Sequence, residues 1–125
     1  MPEILYFRPL TGLFDEAQVS GYLAGLGYSF RDAIQAETFV VSHTAAGRDF
    51  GLERRRTAPE RGFPPLLLIL VRPGLITVDQ QTRPEELLLA AQFMEWLTDH
   101  YDCTATDDYD HDLTEAYKRR PVPRG

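Results

Sequence analysis

Residues 62–101 read GFPPLLLILVRPGLITVDQQTRPEELLLAAQFMEWLTDHY, and this stretch holds the strongest strand and helix signals in the chain. Leu66 to Val71 is an unbroken apolar run, bounded by Pro64-Pro65 on one side and Arg72-Pro73-Gly74 on the other. Periodicity does not separate a strand from a buried helix over so short a run. Its length and its flanking breakers select a strand, central in a sheet and buried along its whole length. Pro73-Gly74 suits a type II turn, with proline presetting φ and glycine supplying φ > 0. That turn matches hairpin twist poorly, which predicts a loop wider than two residues. Leu75, Ile76 and Val78 then form the return strand.

Thr82 and Glu85 have the spacing of a capping box, and Pro84 suits a first helical turn. The helix that follows is predicted to reach about Tyr101. Leu87, Ala90, Ala91, Met94, Leu97 and Tyr101 recur on one face. Leu88, Leu89, Phe93 and Trp96 widen the stripe, so the helix is expected to be covered on more than one side.

Outward from this stretch, composition sets the class. The chain has 125 residues, 43% hydrophobic and 11% aromatic, which is the composition of one globular domain. The longest apolar run is too short for a membrane span. The beginning, MPEILYFRPL, shows no basic segment followed by an apolar one, so the expected location is the cytoplasm. The single cysteine, Cys103, excludes an internal disulfide and a multi-cysteine zinc site. The formal charge of −6 opposes bulk attraction to nucleic acid or anionic lipid.

In chain order, Ile4 to Phe7 reads as a first strand. Asp15 caps a helix, Gln18 stands three residues on, Val19, Tyr22, Leu23 and Leu26 form its buried face, and Gly27 stops it. Ala17, Gly21 and Gly25 make a second stripe of small residues, expected to admit close approach of another backbone. From Thr38 the pattern alternates: Phe39, Val41 and His43 lie on one face, Thr38, Val40 and Ser42 on the other. Thr44 to Arg48 reads as a turn and Phe50 and Leu52 as the return, giving a hairpin from about Thr38 to Arg56. Residues 57–65 form a Pro/Gly-rich loop. Asp102 to Thr106 is a last strand, and the chain beyond Tyr109 is expected to fray. The sum is an α+β domain over residues 1–117, with a basic tail at 118–125. Its core is one antiparallel-rich sheet of about five to six strands with two helices on a single face.

No complete catalytic motif emerges. Asp108, Asp110 and Asp112 alternate as in a calcium loop, but Leu113 and Arg119 replace the required glycine and glutamate, so no metal is assigned. His100, Asp102 and His111 have the ligand types of an iron site without its spacing. Cys103 with a nearby histidine reads as a core filler rather than a nucleophile. His43 with Glu37 or Glu53 and Arg54 has the residue types of a small ribonuclease, which the acidic charge opposes. No cofactor is implied.

What stands out is charge. Seven acids fall between Asp99 and Glu115 with no Lys or Arg among them. Mutual repulsion of this kind suits recognition better than stability. The residues assigned to partner binding are Asp107, Asp108, Tyr109, Asp110, Asp112 and Glu115, with Tyr109 as the anchor. Arg54 and Arg56, on one face of the expected strand, are the second candidate. The order strand, helix, meander, helix, strand is similar to that of the myxobacterial swarm-inhibition group of bacterial toxin-immunity proteins. The resemblance is one of element order and not of motif. It implies a non-enzymatic protein that neutralises a cognate toxin, for which a basic toxin domain would be the partner. The alternative is a small acidic dimeric protein resembling secretion chaperones, and the third reading a small hydrolase or nuclease. Either a monomer or a homodimer fits.

Overall fold

A computed structural model describes residues 4–61, 66–80 and 82–114. The elements in order are β1 (Ile4–Pro9), α1 (Glu16–Ala24), β2 (Tyr28–Arg31), β3 (Thr38–Ser42), α2 (Ala45–Thr57), β4 (Leu67–Arg72), β5 (Leu75–Asp79), α3 (Pro84–His100) and β6 (Cys103–Thr106). The fold is α+β, with one six-stranded sheet in the order β2-β3-β4-β5-β1-β6. Every neighbouring pair is antiparallel. β1 lies between β5 and β6, so those two run parallel and α3 is the crossover that joins them.

Alternation divides the sheet into two faces. Leu5, Phe7, Phe39, Val41, Leu67, Ile69, Val71, Ile76, Val78, Cys103 and Ala105 project to one side, where they meet Val19 and Leu23 of α1 and Ala90, Phe93, Met94 and Leu97 of α3. Cys103 is a core filler, as its small neighbours suggested. β4 is central, as predicted, but only its alternate residues are fully covered. Leu68 and Leu70 face the other side and are half-buried.

That other side corrects the expected two-helix layer, because a third helix packs there. Residues 45–57, read as a turn and a return strand, are helical. Thr44 caps the helix by accepting the Gly47 N–H at 3.0 Å, and Arg54 to Arg56 place positive charge at its C-terminal end. The one fully buried residue of α2 is Gly51. A Cβ on Gly51 would lie 2.9 Å from the end of Leu66 and 3.3 Å from the Phe30 ring. Phe50 and Leu52 flank Gly51 on either side and stay exposed, so their period of two mimicked a strand. The actual hairpin partner of β3 is β2, with Phe30 opposite Val40.

Smaller corrections follow from the same packing. The β4–β5 connection is a two-residue turn closed by Arg72 opposite Leu75, and Gly74 does not take positive φ. Pro73 O instead accepts the Phe14 N–H at 2.8 Å. The cap of α3 is Arg83 and not Thr82, and no side chain caps its backbone there. Its buried face runs through Glu86, Ala90, Phe93, Met94 and Leu97, while Ala91 is exposed. α1 ends at Ala24, three residues before the predicted stop at Gly27. Gly27 is nevertheless required where it stands: φ is +55°, and a Cβ would lie 2.8 Å from Ser42 O. Gly21 has nothing within 4 Å and Gly25 meets only Tyr22 O of its own helix, at 3.7 Å, so neither glycine admits the second backbone expected there. The chain beyond Tyr109 does not fray at once. Leu113 N–H bonds Ala105 O at 2.7 Å, and Thr114 Oγ1 accepts the Ala105 N–H at 3.0 Å. Glu115 and the basic tail lie outside the described residues.

Candidate partner-binding surface

The acidic segment folds into a closed loop beyond β6. Asp107 turns its carboxylate inward, where it accepts the N–H groups of Tyr109 and His111 at 2.9 Å each and His111 Nδ1 at 3.0 Å. Burial pushes this carboxyl up, but the bonds from His111 and Tyr109 outweigh it, and the group sits below its ordinary value. Asp108 accepts the Ile4 N–H and the Tyr6 hydroxyl, both at 3.1 Å, fastening the loop to β1. Asp112 bridges to Thr106 and accepts the Thr114 N–H at 3.0 Å, and the Thr114 bonds hold its carboxyl below the ordinary value. These acids are therefore occupied by their own chain and are not a row of free charges. Asp110 takes φ +61°, which an aspartate tolerates, and is exposed at the tip. Beside it Tyr109 is 76% exposed, the most exposed large hydrophobic residue described.

At the opposite end of the sheet, α2 and the residues after β2 enclose a groove of about 560 Å³. Phe30, Ile34, Leu52 and Pro59 give it apolar walls, while Asp49, Glu53 and Arg56 carry charge around it. Asp32 and Arg55 form a buried ion pair beneath. The helical conformation separates the two arginines once placed on one strand face, since a two-residue step turns about 200° around a helix. Arg56 lines the groove and pairs with Glu53 at 2.6 Å. Arg54 points elsewhere and donates to Arg61 O at 3.1 Å.

The ribonuclease-like residues are not brought together. Glu37 pairs with Arg72 at 2.8 Å and Glu53 with Arg56. His43 instead meets Glu86, whose side chain is completely buried. One Glu86 oxygen takes both the His43 ring Nδ1 and the His43 backbone N–H, the latter at 2.8 Å. The other oxygen takes Arg83 Nε at 2.9 Å. Burial raises the Glu86 pKa, but the bonds from His43 and Arg83 prevail and lower it. A carboxylate on Nδ1 holds an imidazole with Nε2 outward, the arrangement of an oriented base. Here the same carboxylate also pins the end of β3 to the start of α3, and neither His43 nor Glu86 lines the groove. A signal for this pair was present in the sequence: Glu86 lies four residues before Ala90 on the buried stripe, and His43 continues the Phe39–Val41 face. Each is a polar group on an apolar face, and each satisfies the other. Among the described residues no group of three or more His, Cys, Asp or Glu side chains is placed to hold a metal ion.

No family model, no curated protein and no solved structure matches the chain. No helix among the described residues is long and apolar enough to cross a membrane.

Proposed function

We propose that the chain is a non-enzymatic protein-binding module of the cytoplasm, an immunity protein that neutralises a cognate bacterial toxin by direct contact through the 107–112 loop. The observation that carries this reading is Tyr109, exposed at the tip of a loop that Asp107 clamps from within. An exposed aromatic on a pre-ordered loop loses little entropy on binding and fits the anchor role that tyrosine fills at interfaces. The acidic surroundings suit a basic toxin domain, for which charge complementarity speeds capture. The alternative, a dimeric chaperone-like protein joined through the long helix, has less support. Most of the wide α3 stripe packs internally through Leu89, Phe93 and Trp96, and of its leucines only Leu88 stands well out, at 70% exposure.

The test is association kinetics with the cognate toxin domain. Tyr109→Ala is expected to raise Kd roughly tenfold or more, as for an interface anchor. Asp110→Asn is expected to slow association at low salt and leave the fold intact, since that carboxylate is exposed at the tip. Unchanged binding by both variants would move the contact to another surface, with the Arg56 groove next in line.

A further inference from the structure

We propose that the outer edge of β2 pairs with β2 of a second copy of this chain, about a two-fold axis at Phe30. Which backbone groups face outward follows from one bond: Asp32 N–H donates to Thr38 O at 2.9 Å, continuing the register that sets Phe30 opposite Val40. Bonded and non-bonded pairs alternate along an antiparallel ladder. Asp32, Phe30 and Tyr28 therefore bond inward to β3, and the N–H and C=O groups of Ser29 and Arg31 point away from the sheet. No bond to those four groups occurs among the described residues.

The other margin of the sheet is treated differently. At β6, Ala105 has its N–H and C=O taken by Thr114 and Leu113. One edge is thus closed by the chain itself and the other is left as a template for pairing. Nor is the open edge guarded by charge. The Arg31 side chain is drawn aside to Ser20 Oγ at 3.0 Å and lies over the Phe39 ring at 4.9 Å.

A second copy fits this edge on three grounds. With Ser29 of one copy opposite Arg31 of the other, all four outward groups are bonded and the two Phe30 residues meet as a close cross-strand pair. Ile34 and Leu52, 60% and 42% exposed, lie beside Phe30 in the groove, so the same approach covers this apolar recess. The groove carries both signs, Arg56 against Asp49 and Glu53. A two-fold interface must complement itself, and a mixed rim does so where a rim of one sign would select an oppositely charged partner. β2 and β6 are the two margins of the sheet, so the 107–112 loops remain free at the far ends of the dimer. This assembly does not depend on what those loops bind.

Sedimentation equilibrium of the full chain is expected to give twice the 14.2 kDa monomer mass at concentrations on the order of 100 µM. Ser29→Pro removes an outward donor and spares the bonds to β3, a place where an edge strand accepts proline. Ile34→Glu sets an unpaired charge at the groove wall. Both variants are expected to be monomers with unchanged circular dichroism. In the wild type, amide exchange at Ser29 and Arg31 is expected to slow roughly tenfold as concentration rises through dimerisation. A monomeric wild type at this concentration would overturn the proposal. So would a dimer that persists in Ile34→Glu with exchange at these two amides unaltered. Should Ser29→Pro fail to fold, Ile34→Glu and the exchange measurement decide.

Discussion

Asp32 and Arg55 are joined by two parallel bonds, Nε to Oδ1 and Nη2 to Oδ2, both at 2.9 Å. The carboxylate is fully shielded and also accepts the Gln35 N–H at 2.9 Å, while Arg55 Nη1 reaches Pro59 O at 3.2 Å. The pair thereby ties three segments together: the connection after β2, the helix α2, and the turn that follows it. Arg55→Ala leaves a buried charge without its partner and is expected to cost about 3–5 kcal/mol in urea unfolding. Arg55→Lys is expected to recover only part of this, because a point charge does not reproduce the fork. A loss under about 1 kcal/mol for Arg55→Ala would mean that the pair does not hold the groove.

Acid sensitivity follows from the same carboxylate together with Glu86. Burial raises each pKa, but the bonds from Arg55 at Asp32 and from His43 and Arg83 at Glu86 bring both below the ordinary values of 3.8 and 4.5. A folded-state pKa below the unfolded one contributes stability that is present above the unfolded value and lost as pH falls through the folded one. Stability is therefore expected to decline from about pH 5 downward. The double variant Asp32→Asn, Glu86→Gln is expected to start lower and to lose less over that range. An identical acid slope in wild type and variant would rule these two groups out as its source.

The clamp in the 107–112 loop titrates in the same sense. Asp107 lies below its ordinary value through the bonds it accepts, against the opposing effect of burial. In an NMR titration the Tyr109 and His111 amide shifts are expected to move together, with a midpoint below 3.8. Asp107→Asn is expected to broaden both resonances at neutral pH. Sharp, unshifted resonances in that variant would show that the loop is ordered without the clamp.

Gly47 and Gly51 both line the buried side of α2, and substitution separates their roles. A Cβ on Gly47 would overlap the fully buried Ser42 hydroxyl, whereas one on Gly51 meets the movable end of Leu66 at 2.9 Å and the edge of the Phe30 ring at 3.3 Å. Gly47→Ala is expected to destabilise by about 1–3 kcal/mol despite a helix-propensity gain of about 1 kcal/mol. Gly51→Ala is expected to fall near zero. Equal effects at the two positions would contradict the packing of α2 on β2 and β3.

On β4, Ile69→Ala is expected to cost about 2–5 kcal/mol, since the side chain is fully buried among α1, α3 and the adjoining strands. Leu68 points to the half-open face, and Leu68→Ala is expected to cost distinctly less. A larger loss at Leu68 would mean that the two faces of β4 have been exchanged.

Local pattern alone determined the α+β class, the central place of the 66–71 run, the cap at Asp15, the long helix, and the short final strand. Each of these buries large apolar side chains at a regular spacing, and that spacing is written along the chain. Tertiary structure alone decided the rest. The helix at 45–57 buries Gly47 and Gly51 and leaves Phe50 and Leu52 in solvent, so its hydrophobic pattern has no helical period to read. The acids at 107, 108 and 112 look unpaired in sequence because their partners are mostly main-chain N–H groups, with a tyrosine hydroxyl and the His111 ring, none of which a count of Lys and Arg registers. Asp32 meets Arg55, and His43 meets Glu86, across more than twenty and more than forty residues respectively. No local rule spans such distances; only the packing of α2 and α3 on opposite faces of the sheet sets which polar groups are buried and which others must answer them.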